Sequence, residues 1–410
     1  MSNRPSHSPN TLFPVVDDCL TVGGRPLTRL ARQVGRTPFY AYDRALLDRR
    51  VSELREALPA GIELHYAMKA NPMPAVVQHL SKRVDGLDVA SAGELQVALD
   101  TGTDPAEISF AGPGKMPWEL SNAIAAGITI NLESENELET CARLGSELGI
   151  QPRVAVRVNP DFELKGAGMK MGGSPRQFGV DAERVPAMLG RIRELELGFQ
   201  GLHIYSGSQN LKAESIVEAQ AKTFELGFRL AEHAPEALRF FNIGGGFGIP
   251  YFPGDKPLDL APIGENLASW QPRAREHLGD TAIVLELGRY LVGEAGIYVA
   301  EVVDRKLSRG HVFLITNGGL HHHLAASGNF GQVIRKNYPV VVGNRVVGSE
   351  REVASVVGPL CTPLDLLGDK VELARADVGD LIVVFQSGAY GPSASPAGFL
   401  SHPAVTEVLV

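Results

Sequence analysis

A lysine, a histidine, three consecutive glycines and a glutamate stand at the ends of short apolar runs, and each type carries chemistry of its own. Lys69 closes the segment Tyr66-Ala67-Met68-Lys69-Ala70-Asn71-Pro72, where Pro72 stops the extended run and fixes the turn. On its own such a lysine reads as an exposed strand end. Partly buried, it would have a depressed pKa, and its free amine could then attack an aldehyde. His203 and Ser206 end a second run, and Gly244-Gly245-Gly246-Phe247-Gly248 follows a third. The glycine loop is either a flexible turn or a stretch of bare backbone whose N–H groups approach a phosphate. Ile249 stands where G-x-G-x-x-G needs its last glycine, which disfavours a dinucleotide fold, and G-x-x-x-x-G-K-[ST] does not occur. Glu286-Leu287-Gly288-Arg289 ends a fourth run. Its carboxylate either pairs with Arg289 or meets a positively charged group of a bound ligand.

Eight such runs recur from residue 62 onward: 62–68, 86–90, 108–111, 128–132, 154–158, 201–205, 240–243 and 282–285. Between them lie segments with apolar residues three and four apart, such as 92–100, 135–148 and 215–233, which is helical spacing. Eight strands alternating with helices predict an α/β fold, a (β/α)8 TIM-like barrel. The polar residues at the strand ends, Ser91, Gly112, Glu133 and Asn159 among them, then converge on the C-terminal rim, where barrels build their sites. Ser91 and Asn159 taken singly are helix caps or turn residues. Strand-like runs without long helices (296–303, 312–316, 339–342, 352–357 and 381–385) predict a second, C-terminal β-sandwich or β-barrel domain. The expected division is 43–292 for the barrel, led in by a helix over 43–58, and 1–42 plus 293–410 for the β domain.

A chain of 410 residues exceeds the roughly 250–300 at which one core stops growing, consistent with two domains. The net charge of −8 and the lack of a basic cluster argue against a nucleic-acid surface. No apolar run reaches the ~20 residues that span a bilayer, and the first ten residues lack a signal-peptide core. Three cysteines form no disulfide framework, so a cytoplasmic location is expected.

These segments, with Asp88-Val89-Ala90-Ser91-Ala92-Gly93-Glu94, Gly358-Pro359-Leu360-Cys361 and Gly388-Ala389-Tyr390, resemble the fold-type III pyridoxal phosphate (PLP) decarboxylases, the diaminopimelate and ornithine decarboxylase family. The resemblance runs in order over nearly the whole chain. It implies that Lys69 forms a Schiff base with PLP and that His203 stacks on the ring. It implies that Ser206, Gly244, Gly245, Gly246, Gly288, Arg289 and Tyr390 hold the cofactor around its phosphate, with Asp88, Glu94 and Arg157 beneath it. Glu286 against the pyridine nitrogen would make the ring a strong electron sink, which suits decarboxylation better than racemisation. Cys361 alone reads as a small buried hydrophobe. In the family the matching cysteine enters the neighbouring subunit's site and governs protonation of the product carbanion, which implies a homodimer with shared sites.

The chain departs from the basic-amino-acid decarboxylases at the residue after that cysteine. Those enzymes carry an acid there to meet the substrate's distal ammonium; here it is Thr362, with Asp365 as a nearby substitute. His321, His322 and His323 occupy the position of another substrate loop. Alternate strand residues face opposite sides, so the three cannot share one ligand; no metal is expected there, and one of them could touch substrate. Together with Lys170-Met171-Gly172-Gly173 and Arg176-Gln177-Phe178-Gly179, these features are similar to a subgroup holding the exosortase A system-associated and glutamyl-carrier-protein decarboxylases. That similarity implies a free or carrier-protein-tethered, non-basic amino acid. A diaminopimelate decarboxylase and a non-catalytic, decarboxylase-like binding protein are the alternatives.

Overall fold

The computed structural model describes residues 5–410 except 167 and 333, and only the backbone of Lys170. It divides into two compact units. One holds Arg50–Ile249 and Leu258–Tyr290; the other holds residues up to Arg49, Pro250–Pro257 and Leu291–Val410.

The first unit is the predicted barrel. Its strands are β1 (Ile62–Ala67), β2 (Gly86–Val89), β3 (Ile108–Phe110), β4 (Thr129–Leu132), β5 (Arg153–Asn159), β6 (Gly198–Ile204), β7 (Phe240–Gly245) and β8 (Ala282–Leu287). Each pairs in parallel with the next, and β8 pairs with β1, so the sheet closes. Helices cover the outside, so β2, β3 and β4 are buried along their whole length rather than alternating. The predicted helices over 92–100 and 135–148 are Ala92–Asp100 and Glu135–Leu148. Both start on the same device. Ser91 Oγ accepts from Glu94 N and Ser134 Oγ from Glu137 N, while the two glutamates reach back to Ala90 N and Glu133 N. Each serine cap is worth about 1 kcal/mol and fixes where the strand-end loop turns into helix. Ser91 is thus a cap. Asn159 is neither cap nor turn residue but the last residue of β5, and its side chain donates to Ser174 O and Asp181 Oδ1.

The second unit is a mixed sheet curled into a nearly closed barrel. Its spine is the 13-residue strand Gly296–Ser308, which pairs with His311–Thr316, with Leu381–Val384 and, from the N-terminal part of the chain, with Phe39–Tyr42. Thr406–Leu409 lies parallel to Phe39–Tyr42. Phe39, Ala41, Ile297, Val299 and Val383 form its core with Leu20 and Leu27. Several strands escaped the sequence reading, Leu366–Ala374 and Thr406–Leu409 among them. Leu366–Ala374 contains Gly368 and Lys370, the latter at φ 48°, so a bulged strand reads as a turn. Thr406–Leu409 is short and half-buried throughout, without the alternation that marks a strand.

Candidate active site

Lys69 is not on β1 itself but in the single 3-10 turn Met68–Ala70 that follows it. Tyr66 Oη donates to Asn71 O beneath that turn and holds its shape. The Lys69 side chain is 40% exposed, so it is half-buried, with Nζ 3.4 Å from Glu286 Oε1 and 5.4 Å over the Tyr205 ring. Glu286 is buried near the end of β8. Its other oxygen lies 2.9 Å from His203 Nε2. Burial alone would raise the Glu286 pKa, but Lys69, His203 and Arg157 outweigh it and hold the carboxyl well below the usual range. A permanently anionic group therefore sits between a lysine and a histidine at the C-terminal rim. Tyr205 is a site residue that the sequence reading passed over. The signal was its place one step beyond the end of β6, two residues after His203.

Below this group is a network of paired charges. Arg157 Nη1 donates to Glu133 Oε1 at 2.9 Å, and both side chains are buried. Glu133 also accepts from the N–H groups of Gly112 and Gly179. Burial pushes its carboxyl up, yet Arg157, Lys115 and the Gly179 amide outweigh that and lower it. Asp88 Oδ1 accepts from Ser109 Oγ at 2.6 Å and lies 3.3 Å from His65 Nδ1. Replacing Glu133 by glutamine should cost roughly 3–5 kcal/mol, because Arg157 is left buried without its counter-charge. The native carboxylate's contribution is present above its unfolded pKa of about 4.3 and is lost as pH falls toward the depressed folded value. The melting temperatures of wild type and Glu133→Gln should therefore converge below about pH 4; a gap that widens on acidification would contradict this pairing.

The glycine loop is shaped by packing as much as by any ligand. Gly244 and Gly246 have φ of 73° and 76°, the left-handed region. A Cβ on Gly244 would meet Ile204 O, one on Gly245 would meet Glu286 O, and one on Gly246 would meet Gly207 O. The loop thus lies against the neighbouring strands with no room for side chains. Gly244 N–H is also committed, donating to Asn242 Oδ1 at 2.8 Å. The expectation that all three N–H groups face a phosphate needs that correction for Gly244. Gly288 packs against Ala67 O and the Ala70 side chain, and Arg289 opens the short helix Arg289–Val292. Ser206 is half-buried at the end of β6.

The remaining predicted residues belong to the second unit. Cys361 is exposed, which corrects its reading as a buried hydrophobe. Thr362 sits in the tight turn after it, where its Oγ1 accepts from Leu364 N. Asp365 is buried, and its two oxygens accept from Leu320 N at 2.6 Å and Leu360 N at 2.8 Å. Tyr390 is half-buried at φ 53°, with its ring 6.2 Å from that of Phe330. His321, His322 and His323 lie in a turn, not a strand, and all three are buried rather than split between faces. His322 and His323 each donate their N–H to Gly319 O, which winds the turn inward. His323 bonds to Ser387 Oγ, and burial lowers its pKa to about 3; burial, with His322 and His402 beside it, lowers that of His321 to about 4. Both are neutral at physiological pH. Lys170, quoted above in a motif, has a side chain outside the described residues.

Comparison with known proteins matches residues 44–293 to the pyridoxal-binding domain of the pyridoxal-dependent decarboxylases. The chain is 40% identical over 379 residues to the L-glutamyl-[BtrI acyl-carrier protein] decarboxylase of Niallia circulans, covering 91% of this chain and 88% of that one. It is 32% identical over 399 residues to the diaminopimelate decarboxylase of Aquifex aeolicus, covering 96% and 91%. The crystal structure of diaminopimelate decarboxylase from M. jannaschii with L-lysine superposes with a TM-score of 0.87 at 27% identity, covering 98% and 93%.

Proposed function

The chain belongs to the pyridoxal-dependent decarboxylases of the ornithine and diaminopimelate type and is a PLP-dependent carboxy-lyase; from that premise we propose that it removes the α-carboxylate of a non-basic amino-acyl group tethered to a carrier protein. What supports the substrate reading is Asp365. Thr362 has no charge to offer a distal ammonium, and Asp365 is buried with both carboxylate oxygens turned to backbone N–H groups. Neither residue can do for a basic side chain what an acid does in relatives that act on one. The 40% identity to a decarboxylase named for a carrier-bound glutamyl group points the same way.

The residues fit the cofactor. Asp88 Oδ2 and His203 Nδ1 are buried polar atoms without a hydrogen-bond partner among the described residues, and both suit a polar ring system. Bound PLP supplies an electron sink for the pair left when CO2 departs. Lys69 provides the amine that anchors the cofactor and releases it to the substrate amine. Glu286, held anionic by its neighbours, keeps the proton on the ring nitrogen and so sets the depth of that sink. His203 would cover one ring face. The backbone of Gly245 and Gly246, with Ser206, Gly288 and Arg289, would hold the phosphate, while Arg157 and Asp88 would brace the floor. Cys361, exposed, delivers the proton that replaces the carboxylate across the interface of a two-fold homodimer.

The test is CO2 release from a glutamyl-loaded carrier protein beside free meso-diaminopimelate, ornithine, arginine and lysine. At least about 100-fold higher kcat/KM on the carrier substrate is expected, since a missing charge partner is worth a few kcal/mol of discrimination. Efficient release from a free basic amino acid, and none from the carrier, would overturn the reading.

A further inference from the structure

The mouth of the barrel opposite Lys69 holds a second cluster of chemically competent side chains. Ile108, Thr129, Phe240 and Ala282, the first residues of β3, β4, β7 and β8, line a cavity of about 80 Å³ together with Glu63, His65 and Glu107. One ligand atom from each of those three lies within 4.8 Å of the others. Two carboxylates alone would be an ordinary solvated pair. The histidine is what makes the cluster unusual.

His65 is 7% exposed. Its Nδ1 faces Asp88 Oδ1 at 3.3 Å, and Asp88 is fixed in turn by the Ser109 hydroxyl. In the neutral ring a carboxylate there favours the proton on Nδ1, which leaves Nε2 as the nitrogen that faces the cavity. Nε2 is buried with no hydrogen-bond partner among the described residues, and it lies 4.0 Å from Glu63 Oε2. A lone pair facing two carboxylates is repulsive unless a cation stands between them. A proton on Nε2 would answer the charge and still leave its N–H without an acceptor in reach. A metal ion answers both at once, and the order carboxylate, histidine, cation is how proteins commonly orient an imidazole ligand. Arg239 lines the same cavity and pairs with Glu107, holding that carboxylate in place and sharing its charge.

We propose that Glu63, His65 and Glu107 form a binding site for a divalent transition-metal ion of the zinc class at the N-terminal mouth of the barrel. One imidazole and two carboxylates balance a dication and leave a fourth position for water. The imidazole selects against magnesium and calcium, which take oxygen ligands. The ion would tie β1 to the turn Pro105–Glu107 that leads into β3, bridging over β2, so its role is to lock the barrel's base rather than to react.

Tag-free full-length protein titrated calorimetrically with zinc chloride tests this. One equivalent per chain is expected, with a higher melting temperature once bound. The double variant Glu63→Gln/Glu107→Gln should bind zinc more than about 100-fold more weakly. Cys19→Ser/Cys361→Ser should keep the full equivalent. X-ray absorption at the zinc edge on wild-type protein does not depend on any variant folding; it should show one imidazole with oxygen neighbours and no sulfur. Absence of zinc uptake by the wild type, undiminished affinity in the carboxylate variant, or sulfur in the absorption spectrum would overturn the site.

Discussion

Replacing Lys69 by alanine is expected to lower CO2 release by at least about 10³-fold, the scale on which loss of a covalent catalytic group acts. The same variant should lack the absorbance near ~420 nm that borohydride removes from the wild type, because that band needs the lysine–cofactor bond. Lys69 stands on a turn rather than a strand, half-buried, within reach of Glu286 but not in tight contact at 3.4 Å. The amine is thus positioned by a contact that is not tight, as suits a group that binds and releases cofactor in each cycle. Removing the amine leaves buried Glu286 without its main positive neighbour, so the variant should lose about 1–3 kcal/mol of stability, reduced by the exposure of Lys69, and its turnover is to be compared well below its melting temperature. Substantial turnover without an added amine would contradict the assignment. The variant also tests the shared site. Mixed with Cys361→Ala, itself slow, it should regain up to about a quarter of wild-type activity if each site draws on two chains of a two-fold dimer. No regain after subunit exchange would sink that arrangement.

The second large effect is expected at Glu286. Glutamine keeps the shape and removes the charge, and kcat should fall about 10²–10³-fold, the usual cost of losing one preorganised electrostatic partner. An amide cannot hold a proton on a ring nitrogen, so the cofactor would remain bound but be a poorer electron sink. Stability should fall as well, by about 1–3 kcal/mol, because Lys69 and His203 lose the anion between them; the half-exposure of Lys69 keeps this below the cost of a fully buried pair. The two effects separate experimentally, since kcat measured well below the melting temperature reports only the first. The pH profile adds a further check. Glu286 is held far below the ordinary carboxylate range, so its protonation should not limit activity on the acid side near pH 4–5, and an acid limb that disappears in Glu286→Gln would contradict its depressed pKa. Unchanged kcat in Glu286→Gln would remove the carboxylate from the chemistry altogether.

Most of the barrel was legible because its signals are local. The eight strands are apolar runs, the helices between them have three- and four-residue spacing, and serine caps such as Ser91 and Ser134 announce the helix starts. What the sequence could not display is which polar atoms are already spoken for. Asp365 looked available to a substrate, yet it is buried and its oxygens accept from Leu360, five residues earlier in the same loop, and from Leu320, which only the fold brings to it. The glycine loop looked like a row of free amides, but Asn242, two residues before Gly244, takes that amide. The three histidines drew a strand argument and belong to a buried turn, a difference set by Gly319 accepting two backbone bonds. The grouping of Glu63, His65 and Glu107 was equally hidden, because the third member reaches the first two only across β2.

Phe39–Tyr42 pairs with Gly296–Val299 on one side and with Thr406–Leu409 on the other, and all four of its residues are buried. During synthesis this strand leaves the ribosome ahead of the entire barrel, and its first neighbour follows only when the barrel is complete. For that interval the chain carries an apolar, unpaired edge of the kind that recruits other nascent chains. Because its other neighbour is Thr406–Leu409, a deletion that removes those residues would leave one side of that strand open. The barrel could still form, and the visible outcome would be aggregation of newly made protein rather than a weaker enzyme.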